Sequence, residues 1–123
     1  MSLDLFLQDF SDTPRDRRAL VEATLAPLLD ARRENIITDD GSAAIFGASD
    51  VPLEGLMFNH IDGALAWEAI FRVAAAGDWA VLPVGGAVCV PSPHLVGTIP
   101  IELADEGVVV VTSDAELRSA ITS

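Results

Sequence analysis

Asn35-Ile36-Ile37-Thr38-Asp39-Asp40-Gly41-Ser42-Ala43-Ala44-Ile45-Phe46 is the stretch that decides the fold. Two short apolar runs flank a polar turn, which predicts a hairpin with Asp40-Gly41 supplying the positive φ of a tight turn. Hairpins join antiparallel neighbours, so this one argues against a doubly wound parallel sheet, where connections are crossovers.

Upstream, Leu3, Leu5 and Leu7 alternate with Asp4, Phe6 and Gln8, the period of a strand with both faces partly covered. Thr13 suits a helix N-cap, Pro14 the first helical position, and Asp16 the first turn. The stripe Leu20, Val21, Thr24, Leu25, Leu28 and Leu29 follows, and Pro27 must kink or end that helix. If the helix continues, Arg32-Arg33 suits the dipole at its end. Downstream, a loop through Gly47 and Pro52 leads to a strand over residues 55–61. Asp62 is placed to cap a second helix reaching about Ala76 and stopping at Gly77, with Trp67, Ile70, Phe71 and Ala74 on its buried face.

Residues 79–84 and 87–90 read as strands joined by Gly85-Gly86, with Pro83 marking an edge or an interruption. Pro91 to Pro100 reads as a loop with one helical turn at 93–96. Four valines, Val108 to Val111, predict a central strand covered on both faces. Ser113-Asp114-Ala115-Glu116 is a capping box opening a short helix to Ile121. Residues 1–123 are therefore expected to form a single α+β domain. Its core is one twisted, mostly antiparallel sheet, with two longer helices and a short C-terminal helix packed on it.

The composition limits the partners. Nineteen acids stand against seven arginines and no lysine, for a net charge of −12 on a chain that is 50% hydrophobic. Such apolar content excludes disorder, and the charge disfavours nucleic acid and anionic membrane. A basic partner surface, a halophilic proteome or a GC-rich genome would each give part of this pattern. The GC-rich explanation fits the missing lysine best, while leaving the acids unexplained. Arg15, Arg17, Arg18, Arg32 and Arg33 all bracket the first expected helix, which leaves the rest of the surface almost purely negative.

One cysteine, Cys89, excludes an intramolecular disulfide and suits a reducing compartment. Met1-Ser2-Leu3-Asp4 lacks a basic n-region, so no signal peptide is expected. The uncharged stretch from Trp79 to Ile101 is long enough to span a bilayer. Its four prolines (Pro83, Pro91, Pro93 and Pro100) with Gly85-Gly86 make it strands and turns instead, and a cytoplasmic protein is expected.

Chemistry-bearing clusters are few. His60 beside Asp62 falls at a strand-to-helix junction, where a helix N-terminus disfavours the imidazolium and readies a base. With Cys89 these residues would supply a nucleophile, a base and an orienter, the basis of an alternative reading as a small hydrolase-like or ligand-binding enzyme. Cys89 lies between Val88 and Val90, where a buried packing thiol is the ordinary outcome. His60, His94 and Cys89 share no short zinc-ligand spacing, and Asp39-Asp40-Gly41 is no calcium loop. No phosphate-binding glycine motif or nucleophile elbow occurs, and no cofactor or metal is expected.

Acids at turns and loops are candidates for partner contact: Asp39 and Asp40 at the hairpin tip, and Glu102, Asp105 and Glu106 before the valine run. Asp50 and Glu54 in the long loop would add to one of these groups.

Three segments carry a resemblance: Asp4-Leu5-Phe6-Leu7-Gln8-Asp9-Phe10, Gly55-Leu56-Met57-Phe58-Asn59-His60 running into Trp67, and Val84-Gly85-Gly86-Ala87-Val88-Cys89-Val90. Together they resemble small uncharacterised α+β proteins of actinobacteria, which implies a compact cytoplasmic domain with no assigned activity. In size, acidity and layout the chain is also similar to immunity proteins of bacterial polymorphic toxin systems, which bind and block a toxin. The expected function is an acidic, non-catalytic protein-binding module for a basic partner, with an immunity-type inhibitor as its specific form. A homodimer subunit is the remaining possibility.

Overall fold

The computed structural model describes residues 3–122. In chain order the strands are β1 (Leu5–Gln8), β2 (Asn35–Thr38), β3 (Gly41–Phe46), β4 (Gly55–Asp62), β5 (Ala80–Pro83), β6 (Val88–Val90) and β7 (Val108–Val110). The helices are α1 (Arg18–Leu25), α2 (Ala64–Gly77), α3 (Ile101–Ala104) and α4 (Asp114–Thr122), with a 3-10 helix over Pro93–Thr98. The seven strands form one twisted sheet in the order β2-β3-β4-β1-β5-β6-β7, antiparallel throughout except for the parallel pair β6–β7. The expected α+β architecture is therefore what the chain adopts.

Alternation assigns the two faces. Leu5, Leu7, Leu56, Phe58, Val81 and Cys89 are buried on one face beneath α1, α2 and α4, packed on Val21, Leu25, Ile70, Val73 and Leu117. On the other face, Ala80, Val88 and Val90 are covered by Leu95 of the 3-10 helix and Ile99 just after it, at the β5–β7 end only. Trp67 and Ile70 are buried on α2 as their spacing predicts, while Phe71 is partly buried against the same core.

Both ends of α2 are held by residues distant in sequence. At its N-terminus the Asp40 carboxylate accepts from the amides of Ala64 (2.9 Å) and Leu65 (3.3 Å). Free helix-start amides need such acceptors, and the carboxylate also meets the positive end of the dipole. Asp62 does not cap this helix, contrary to expectation. It ends β4, and Gly63 (φ 94°) occupies the cap position. Replacing Asp40 by alanine is expected to cost about 1 kcal/mol in urea unfolding, as for other lost N-caps. Asparagine at the same position should restore most of it.

At the other end, the Arg17 guanidinium donates from Nε (3.2 Å) and Nη2 (2.8 Å) to the carbonyl of Gly77. Asp78, with φ 53°, makes the left-handed exit there. Arg17 also pairs with Asp9, donates to the carbonyl of Arg15, and lies 5.6 Å from the centre of the buried Trp79 ring. This use of Arg17 explains why α1 starts at Arg18 and not near Pro14. The preceding residues bend through 11–13, with the Ser11 and Arg15 amides donating to the Asp9 carboxylate, and this bend brings Asp9 and Arg17 together. The helix then ends at Leu25, before Pro27, and does not reach Arg32-Arg33.

Three further readings are corrected. Gly41 is not a positive-φ residue. Thr38 pairs with Gly41, so Asp39-Asp40 form the turn. A Cβ on Gly41 would lie 2.1 Å from the Asp62 carbonyl oxygen, so close backbone approach is what requires glycine there. The valine run does not form a central strand. β7 lies at the sheet edge, with Val109 39% exposed and Val111 beyond the strand, buried in the core. Two-sided apolar cover and a short parallel edge strand give the same local pattern. Pro83 marks neither an edge nor an interruption: it is the last residue of the interior strand β5 and pairs with Leu5 of β1, while the β6 side pairs through Val81↔Cys89.

Candidate functional site

The register sets four apolar side chains in one row across four strands. Leu82 pairs with Phe6, Phe6 with Met57, and Met57 with Phe46, running from β5 through β1 and β4 to β3. Paired residues share a face, so all four lie opposite the main core. Leu82 joins the cluster beneath the 3-10 segment. Beyond it the cover stops, leaving Phe6 41% and Phe46 49% exposed. Singly exposed apolar residues are common on any surface, but a cross-strand apolar row carrying two half-exposed phenylalanines is not.

The β3–β4 connection makes this row into a groove. Phe6, Gln8, Phe46 and Met57 line it on the sheet, and Gly47, Asp50, Pro52 and Glu54 on the loop, around a volume of about 530 Å³. The loop is anchored from below. Leu53 is fully buried, its amide donates to Asp16 (2.9 Å), and its carbonyl accepts from the Arg17 amide (2.7 Å). The Leu53 amide, followed by that of Arg18, holds the Asp16 carboxyl below its ordinary value. Arg33 pairs with Glu22 and donates to the carbonyl of Ala48 (3.1 Å). Such tethering limits the ordering cost of binding. The groove thus has an aromatic floor and an acidic wall, where Asp50 and Glu54 stand exposed.

The other acidic candidates lie elsewhere. Asp39 and Asp40 are at the opposite end of β3, where Asp40 serves α2. Glu102 is on α3, and Asp105 and Glu106 are exposed ahead of β7 at the far edge of the sheet. Six strand spacings, roughly 28 Å, separate β2 from β7. The carboxylate groups therefore do not merge into one surface, and Asp50 and Glu54 join neither of the other two.

His60, Asp62 and Cys89 are not brought together. β4 and β6 are three strand spacings apart, roughly 14 Å. Cys89 is fully buried, and burial raises its thiol pKa, which opposes a nucleophilic thiolate. His60 is exposed at a β4 bulge with φ 51°, so strand alternation does not carry through it to place it beside Phe58. His94 is exposed, with Ser92 Oγ 2.7 Å from its Nδ1 and Asp78 3.8 Å from its Nε2. Among the described residues no three His, Cys, Asp or Glu side chains are grouped to hold a metal ion.

Four of the seven arginines are paired with acids. Arg17, Arg18, Arg33 and Arg72 pair with Asp9, Asp16, Glu22 and Glu68. Among the described residues no helix is long and apolar enough to cross a membrane. Comparison with protein-family models, curated proteins and solved structures gives no match. Of the residues lining this groove, the sequence reading singles out Asp50 and Glu54 as candidates and does not single out Phe6, Phe46 or Met57. Their one legible signal was aromatic or thioether side chains at strand positions opposite the buried leucines.

Proposed function

We propose that the chain is an acidic, non-catalytic protein-binding module of the cytoplasm that covers a basic, partly apolar site on another protein, as an immunity-type inhibitor does. The observation that carries this reading is the open Phe6–Met57–Phe46 row with Asp50 and Glu54 on its wall. Aromatic anchors in a pocket supply affinity, while rim charges set partner choice and association rate. The chemistry of the occupant follows: an apolar segment bearing arginine or lysine. A second copy of the chain is a poor match, because each copy carries −12.

The protein immobilised at low salt and exposed to host extract is expected to retain a basic protein, released as salt rises. Asp50→Asn/Glu54→Gln should weaken that retention and flatten its salt dependence. Retention indifferent to salt and to both substitutions would remove the basis for the proposal.

A further inference from the structure

We propose a second docking site, separate from the groove: the outer edge of β7, which accepts an extended lysine- or arginine-bearing segment of another protein as an added strand. Parallel pairing with β6 uses the Gly107 carbonyl, which accepts from Val88 (3.1 Å), and the Val111 amide, which donates to Val90 (2.9 Å). Alternation along a strand then turns the N–H and C=O groups of Val108 and Val110 away from β6. Among the described residues no strand lies beyond β7, and none of those outward groups has a backbone partner.

The opposite edge is guarded. After Pro27 the chain folds back along β2, where Ile37 donates to Leu28 (2.8 Å), Asp30 donates to Asn35 (3.0 Å), and Leu29 bridges Ile36. Among the described residues β7 has no such cover, and although it is only three residues long it carries no lysine, proline or bulge to blunt it. Its Val108 and Val110 side chains pack beneath the 3-10 segment, so the strand is held in an extended, pairing-ready form.

Charge decides the occupant. Glu102, Asp105 and Glu106 are exposed at the N-terminal end of β7, and Asp114 and Glu116 follow its C-terminal end. A second copy paired in either direction would set acids against acids. A strand with flanking lysines or arginines meets opposite charge at both ends.

The probe is a capped Lys-Val-Lys-Val-Lys-Val-Lys peptide, added to the full chain and followed by amide hydrogen exchange. Exchange at Val108 and Val110 should slow about tenfold when roughly nine-tenths of the protein is bound, because it proceeds through the free fraction. Val109, whose amide faces β6, should change little, as should Phe6 and Met57. Val110→Pro removes an outward donor without taking a bond from β6, and should abolish the effect while near-native circular dichroism is kept. Should that variant misfold, Glu102→Gln/Asp105→Asn/Glu106→Gln serves instead, with affinity expected to fall about tenfold. Unchanged exchange at Val108 and Val110, an equal response to the Glu-Val counterpart, protection only at Phe6 and Met57, or concentration-dependent protection without peptide would each overturn the proposal. Full affinity in the charge-neutralised variant would overturn it as well.

Discussion

Asp9→Ala is expected to lower the unfolding free energy by about 3–5 kcal/mol, the largest effect of any single substitution considered, because it strands a buried charge. The Arg17 side chain is 5% exposed and that of Asp9 3%. Without Asp9 the guanidinium keeps only the neutral carbonyls of Gly77 and Arg15 and the Trp79 ring. Denaturant unfolding measures the loss. The double variant Asp9→Ala/Arg17→Met should be less destabilised than Asp9→Ala alone, since it removes the stranded charge and keeps much of the packing volume.

Acid titration gives the same pair a second signature. Burial alone would raise the Asp9 carboxyl, but hydrogen bonds from Ser11 and Arg17 outweigh it and hold the pKa at about 2, below the ordinary 3.8. A depressed carboxylate contributes stability that is complete above its unfolded pKa and lost as pH falls through the folded one. About 2 kcal/mol should therefore disappear between pH 4 and pH 2, an interval set by those two values. In Asp9→Ala this part of the acid profile should be absent.

Phe6→Thr/Phe46→Thr carries the other large expectation, in binding. Both side chains are about half exposed, and threonine keeps β-propensity, so stability should stay within about 1 kcal/mol of the parent. Binding of a partner seated on the row should fall by about 2–4 kcal/mol, roughly 30- to 1000-fold, as when central aromatic anchors are truncated. Calorimetry on the retained partner reads the affinity, and urea unfolding reads the stability. A stable variant with parental affinity would place the partner elsewhere.

Local signals identified the elements well. Alternation in Leu5–Gln8, the Pro27 break, the apolar face of α2 and the Ser113–Glu116 box each depend on near neighbours. In that box Ser113 accepts from the Glu116 amide (3.1 Å) as expected, while Glu116 reaches Thr112 (2.8 Å) instead of Ser113. Features set by distant partners were not legible. Asp40 caps a helix 24 residues away, and Arg17 closes its far end 60 residues away. Nothing near either residue records those partners. The same limit hid the site. Phe6, Met57 and Phe46 form a row only once the strand order and register are known, and each alone reads as an ordinary strand residue. The valine run misled for the opposite reason, since its composition suits a buried strand and its position is an edge.

Hydrogen exchange on the complex with the retained partner tests the docking face most directly. Protection at Phe6 and across residues 46–57, with the helical face unchanged, is the predicted result. Protection over α1, α2 and α4 with the Phe6–Met57–Phe46 row left exchanging as in the free protein would contradict it.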